Sequence, residues 1–522
     1  MRPVVSSSRI NSGAKVACIS WGKYLSAFLS ANRFSAGERT CRLAGAWSTE
    51  SSREPESGRF GGMPSPMCSL NCSSPMCRTG GSLPLSVRLP SVDAKNGRRT
   101  RRAVKSDDVE WRLSEMAAGM ERSRILSIAA DVREMIAQGM EVAPFTVGDF
   151  SPEQFDVPDD LITNMLEAVS SRQTNYPPAA GLPELRESLS RWMASRYGVD
   201  VGPEGIIVGS GARPVLYASF RLFIEPGDGL AHGVPAWNNH YYVHLTGAVD
   251  IPIIGTEESR FLPTAAGVAE RIEEIRVLIL NSPLKPTGTC FTADEMGAIC
   301  DVILVENEKR RQSGKKPVML VYDQVYSTMT AQGVEHIHPL NVRPEMFDYT
   351  ITLDAISKSL TGTGLRLGWM AIPPSLADPV IALIGHMGSW PARPIQQAVA
   401  ALYAEPTSLD SFFADLDERI SERMELLKSR LAEMKVEGFP VDFVEPEGGI
   451  YLTTRFDLFE MLGVDTNEEI RRWLLEAAGV AVVPFQAFGL EGETGWFRIS
   501  IGAVSVAEIA AAMDRLVTAL RN

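Results

Sequence analysis

The chain has 522 residues, 45% of them hydrophobic and 22% charged, and a net charge of −13. That length exceeds one ordinary domain and suffices for two sizeable cores. No apolar run is long enough to cross a bilayer, and the acidic balance argues against nucleic acid or an anionic membrane as partner.

The charge is unevenly spread. Residues 1–105 carry 17 Lys and Arg against 5 Asp and Glu, and the remaining chain carries 34 against 59. The head is dense in Ser, Gly, Pro and Arg and shows no sustained hydrophobic period. It reads as a disordered or cleaved organelle-targeting segment, for a plastid or a mitochondrion. A second explanation stays open: a reading frame drawn too far upstream, with Met63 or Met67 as the start and a cytoplasmic protein. Cys18, Cys41, Cys68, Cys72 and Cys77 lie in this head, leaving Cys290 and Cys300 in the body, which points to a reducing compartment. The spacing of Cys68, Cys72 and Cys77 is loose and lacks a nearby fourth ligand, a poor zinc pattern.

From about Ser106 the chain becomes regular. Helical spacing runs over Trp111–Gln138, and a Pro/Gly-rich turn follows at Pro144–Asp149. A helix starts after Gly181-Leu182-Pro183 and sets Leu185, Leu189, Trp192 and Met193 on one face. Strands are then expected at Gly205–Val208, Val277–Asn281, Val318–Asp323, Tyr349–Asp354 and Trp369–Ile372. Helices are expected over Arg213–Phe223 and after Thr292. Strands alternating with helices predict an α/β fold: a mostly parallel mixed sheet between helices, with ligands beyond the carboxyl ends of the strands. Beyond Pro406 come a long charged helix, Ser408–Lys435, then Phe443–Arg455, helix Asn467–Ala478, strand Val480–Pro484 and the segment Trp496–Ile501. These predict a smaller α/β domain, onto which the segment 106–150 packs.

Residues with unusual chemistry fall at the expected strand ends. Lys358 follows a strand in Asp-Ala-Ile-Ser-Lys-Ser359, and Gly362, Gly364 and Arg366 come next in Thr-Gly-Thr-Gly-Leu-Arg-Leu-Gly-Trp369. A lysine amine can form an imine with an aldehyde and exchange it. Asp323 ends an apolar strand, where an unpaired carboxylate is costly, and Val325 and Tyr326 lie just beyond. Gly209-Ser-Gly-Ala-Arg213 joins a strand to a helix, so backbone N–H groups and the helix dipole can converge on an anion. Trp237 lies in Val-Pro-Ala-Trp-Asn-Asn-His240. His240 and His244 stand four apart without an accompanying zincin pattern, so no metal is expected.

Taken in order, these motifs resemble the class I/II aminotransferases of pyridoxal-phosphate (PLP) fold type I, aspartate-aminotransferase-like, over roughly residues 140–510. The resemblance implies a PLP cofactor held by Lys358 as a Schiff base, with Lys358 also the general base. Asp323 keeps the pyridine nitrogen protonated, Tyr326 reaches the phenolic oxygen, and Val325 and Trp237 lie against the ring. Gly211, Ala212, Arg213 and Arg366 match the phosphate side, and Ser357 is a further implied cofactor-binding residue. Tyr176, in Asn-Tyr-Pro-Pro-Ala-Ala-Gly-Leu-Pro-Glu-Leu-Arg186, matches a tyrosine lent to the neighbouring subunit's phosphate, so a homodimer is implied. Arg498 in Trp-Phe-Arg-Ile-Ser500 takes the substrate α-carboxylate, Gly148 lines the same pocket, and Pro446-Glu-Gly-Gly-Ile-Tyr451 matches the small-domain motif that precedes the arginine. The expected organisation is a head of 1–105, an arm and part of the small domain over 106–165, a PLP-binding large domain over 166–400, and the rest of the small domain over 401–522.

Two positions depart from the family pattern. Asn281-Ser-Pro-Leu-Lys-Pro-Thr-Gly288 carries Lys285 where an asparagine donates to the ring's phenolic oxygen, and Ala355 replaces a phosphate-binding serine. The implied activity is transfer of an amino group between an L-amino acid and a 2-oxo acid. A PLP lyase on the same scaffold and a catalytically weak PLP-binding protein are the alternatives, the second motivated by Lys285 and Ala355. Arg393, in Pro-Ala-Arg-Pro394, is a candidate for a second substrate carboxylate.

Overall fold

A computed structural model describes residues 112–121, 124–405 and 407–522. The basic head with its five cysteines lies outside the described residues, as does Trp111, the expected first residue of the opening helix.

Seven strands form the larger sheet: β1 Ile206–Gly209, β2 Gly229–Val234, β3 Val249–Ile254, β4 Ile275–Asn281, β5 Met319–Asp323, β6 Thr350–Ala355 and β7 Gly368–Ala371. Their order is β1-β7-β6-β5-β4-β2-β3. Strands β2 to β6 pair in parallel, while β7 runs antiparallel to both neighbours, so the sheet is mostly parallel and mixed, as expected. The central strands are nearly continuous apolar runs because both faces are covered. Helix Ala212–Phe223 covers one face with Val215 and Phe220 against Val321 and Leu353. Helix Ala293–Ser313 covers the other with Ile299 and Ile303 against Leu278 and Leu320. A Thr292–Glu295 capping box fixes the start of that helix.

Strands β2 and β3 have no counterpart in the expected elements. In β2, Gly229, His232 and Gly233 interrupt the β-branched pattern, and β3 carries Pro252, which an edge strand tolerates.

The second sheet contains β8 Val441–Val444, β9 Tyr451–Phe456, β10 Val483–Pro484 and β11 Trp496–Ser500, all antiparallel in the order β10-β11-β9-β8. Helices Asp410–Val436, Asn467–Ala478 and Val506–Arg521 supply Leu427, Leu474 and Leu516 to its core. Phe145, Phe150 and Phe155 from the early segment join the same core, and the Ser500 N–H donates to the Phe145 carbonyl. Two expected elements are corrected. The stretch begun at Trp111 is two helices, Glu115–Ala118 and Arg124–Ala137, the first ending at Gly119. Of the strand expected at Val480–Pro484, Val483 and Pro484 join the sheet, and Val480 makes an isolated bridge to Ala143.

What matters for chemistry is where the strands end. Asn281 and Asp323 are register partners at the carboxyl ends of β4 and β5, and β6 runs directly into the turn of helix that carries Lys358.

Candidate active site

At those strand ends lies a cavity of about 520 Å³. Gly148, Ala212, Arg213, Trp237, Lys285, Asp323, Val325, Tyr326, Ser357, Lys358 and Arg366 all line it, so residues scattered over the chain meet as the motifs suggested. Four cations and two carboxylates, Asp149 and Asp323, face the space.

Lys358 is half-buried, and its Nζ donates to the Gly148 carbonyl at 2.6 Å. Burial pushes its ammonium down to about 8; Asp149 favours the charge, while Arg498, Arg213 and Arg366 oppose it. Asp323 is its counterpart in sign. Burial pushes its carboxyl up to about 6, against the Val325 N–H, which donates to it at 3.1 Å, and Lys285. Neither group has an ion-pair partner among the described residues.

The turn between β1 and its helix is shaped for an anion. Gly211 has φ +97°, a conformation that favours glycine, and a Cβ there would lie 2.4 Å from Arg366 Nη2 and push that guanidinium aside. The helix that follows has no side-chain cap, leaving its first N–H groups free to meet a ligand. Arg366 is held by its Nη1 donating to the Thr363 carbonyl at 2.7 Å. The Arg213 guanidinium lies 4.2 Å from the centre of the Trp237 ring.

Arg498 is fully buried on β11, stacked 5.1 Å from the Tyr451 ring and 5.2 Å from the Phe488 ring. Its Nη2 donates to the Thr146 carbonyl, but Nε and Nη1 have no partner among the described residues. Orphaned guanidinium donors at full burial are a large desolvation penalty, which an incoming carboxylate relieves.

Of the expected residues, Gly211 and Arg498 do not themselves line the cavity, and two more lie elsewhere. Tyr176 is 83% exposed, edge-on to Trp390, and does not reach the cavity within this chain. Arg393 donates to Gln173 at 3.0 Å and does not line the cavity either. His244 bonds the Met116 carbonyl at 2.7 Å instead of facing a metal. Residue-by-residue matching gave no role to Asn281 or Tyr451. Asn281 donates to the Asp323 carbonyl and accepts from the Lys285 N–H, both at 2.8 Å, so it fixes the loop against β5. The Tyr451 hydroxyl meets the Tyr326 hydroxyl at 2.6 Å. Their signal in the sequence is position alone, at the start of Asn281–Gly288 and the end of Pro446–Tyr451.

Fold and site together define an α/β enzyme whose desolvated lysine, desolvated carboxylate and anion-binding turn share one cavity. Comparison with known proteins narrows this. Residues 141–516 match the family described as aminotransferase class I and II, and the chain belongs to that family. It is 29% identical over 381 residues to an aspartate aminotransferase of Geobacillus stearothermophilus, covering 72% of this chain and 92% of the relative. It is also 29% identical over 401 residues to a probable aspartate/prephenate aminotransferase of Rhizobium leguminosarum, covering 74% and 94%. Among solved structures, aspartate aminotransferase from Thermus thermophilus with maleate superposes with a TM-score of 0.69 at 25% identity, covering 78% of this chain and 99% of that one. The Rhizobium meliloti aspartate aminotransferase gives 0.70 at 25% identity, covering 78% and 98%. The protein is an aminotransferase.

Proposed function

We propose that this aminotransferase uses pyridoxal 5′-phosphate, carried by Lys358 as its Schiff-base lysine, to move an amino group between an L-amino acid and a 2-oxo acid. The observation that carries this is the meeting of the Lys358 amine and the Asp323 carboxyl, both desolvated and without ion-pair partners among the described residues, in one cavity. Each is unfavourable alone, and a single cationic heterocycle bearing an aldehyde answers both.

The residues fit that group. Arg213, Arg366 and the uncapped start of helix Ala212–Phe223 suit its phosphate, and the Trp237 ring offers a stacking face. When bound, the cofactor supplies an electron sink for negative charge at the substrate α-carbon. Arg498 binds and orients the substrate carboxylate through Nε and Nη1. The Lys358 amine, pushed down to about 8, is suited to take and return the α-proton near neutral pH. Tyr326, locked to Tyr451, presents a fixed hydroxyl.

The names of the relatives make aspartate the first amino donor to test. With 2-oxoglutarate as acceptor, an aminotransferase yields oxaloacetate and glutamate in equal amounts. Release of ammonia without glutamate would favour a lyase, and absence of turnover with any donor would favour a weak PLP-binding protein. A homodimer is part of this proposal, supported by the exposure of Tyr176 and of Ile162, Leu166 and Val169 on helix Asp159–Ser170. The basic, acid-poor head supports targeting to a plastid or mitochondrion.

A further inference from the structure

We propose that Lys285 is a second nucleophilic amine of the active site, able to form an imine with the aldehyde ligand that Lys358 holds; this rests on the PLP assignment above. The two amines converge on one peptide. Lys358 Nζ donates to the Gly148 carbonyl at 2.6 Å, and a Cβ built on Gly148 would lie 3.2 Å from Lys285 Nζ. Both line the same cavity.

The backbone of Lys285 is pinned by its N–H donating to Asn281 Oδ1 at 2.8 Å, so the side chain projects from a fixed point beyond β4. Around the amine are rings, with Nζ 4.6 Å from the Trp237 centroid and 5.5 Å from that of Tyr451. No carboxylate pairs with it among the described residues. Desolvation is the first reason that its ammonium is pushed well down; Lys358, Arg498 and Arg213 add repulsion, and Asp323 opposes them. A desolvated amine beside other cations gives up its proton more readily than a solvated one, and the uncharged amine is the nucleophile. An asparagine amide at this position could bond to a ligand oxygen but could not attack a carbonyl.

The step needs no oxidant or reductant. The Nζ lone pair adds to the aldehyde carbon while the carbonyl electron pair moves to oxygen. Nitrogen gives up its two protons, both to that oxygen, which leaves as water as the carbon–nitrogen double bond forms.

The test uses the full chain as Lys358→Ala and as Lys358→Arg, the second keeping a donor for the Gly148 carbonyl where the first does not fold. Each variant is incubated with pyridoxal 5′-phosphate, reduced with borohydride and mapped by peptide mass. The expected result is a phosphopyridoxyl increment on Lys285, at least ten-fold above any label at that peptide in Lys358→Ala/Lys285→Asn. The proposal is overturned if the single variants carry no label on Lys285 while the wild type labels Lys358. A wild type that takes no label on Lys358 overturns the PLP assignment itself, and this proposal with it.

Discussion

The hydroxyls of Tyr326 and Tyr451 meet at 2.6 Å, one residue just beyond β5 of the large sheet and the other at the start of β9 in the small sheet. Both side chains are buried, so each hydroxyl depends on the other for its partner. Tyr326→Phe strands the Tyr451 hydroxyl at a cost of about 1–3 kcal/mol. The double variant Tyr326→Phe/Tyr451→Phe is expected to lose less than the sum of the singles, measured by denaturant unfolding as a double-mutant cycle.

Asp323 sets a pH dependence. Burial holds its carboxyl at about 6 against an ordinary 3.8, so between these values the folded apoprotein holds a proton that the unfolded chain releases. Stability therefore falls as pH rises through that window, by about 3 kcal/mol for this group. Asp323→Asn is expected to remove the slope and to raise apoprotein stability at pH 7, while lowering kcat/KM by at least about 100-fold through loss of the charge facing the cofactor ring. Urea melts across pH 4–8 and steady-state kinetics check both halves.

Lys358 gives the opposite slope. Its ammonium lies at about 8 against an ordinary 10.5, so the unfolded chain holds the proton that the folded state gives up as pH rises between them. Apoprotein stability rises with pH through that window. Lys358→Met is expected to abolish turnover yet stabilise the apoprotein at pH 7 by about 3 kcal/mol, a gain that fades toward pH 10. Melting the apoprotein at several pH values reads this directly.

Gly211→Ala forces a Cβ into the left-handed region and against Arg366. The backbone strain is about 1–3 kcal/mol, and displacement of Arg366 is expected to weaken cofactor binding roughly ten-fold or more. Titration of apoprotein with the cofactor, followed by absorbance, measures it.

Arg498→Lys keeps the charge but not the planar fork whose Nε and Nη1 lack a partner among the described residues. We expect kcat/KM for amino acids to fall by about 100-fold or more, with cofactor affinity unchanged.

The parts legible in the sequence are those with a single dominant physical cause. Strands β4, β5 and β6 are buried on both faces and announce themselves as apolar runs, and the chemistry-bearing Asp323 and Lys358 stand at their ends. Helix Asn467–Ala478 is marked by its Thr466–Glu469 capping box and has the bounds that the spacing predicts. Strands β2 and β3 were not legible, because Gly229, Gly233 and Pro252 weaken the local signal and tertiary pairing supplies the rest. The convergence of Lys285 and Lys358 on Gly148 joins three segments distant in sequence, and only the folded chain shows it. The Tyr326–Tyr451 contact is of the same kind, joining two sheets by residues 125 apart.

The most direct test of the central claim is an absorbance spectrum of the purified full chain with pyridoxal 5′-phosphate, followed by borohydride reduction and peptide mapping. The account predicts an imine band that shifts when aspartate is added and, once reduced, leaves the phosphopyridoxyl group on Lys358. A protein that stays colourless with added cofactor, or that carries the label only on surface lysines, would contradict it.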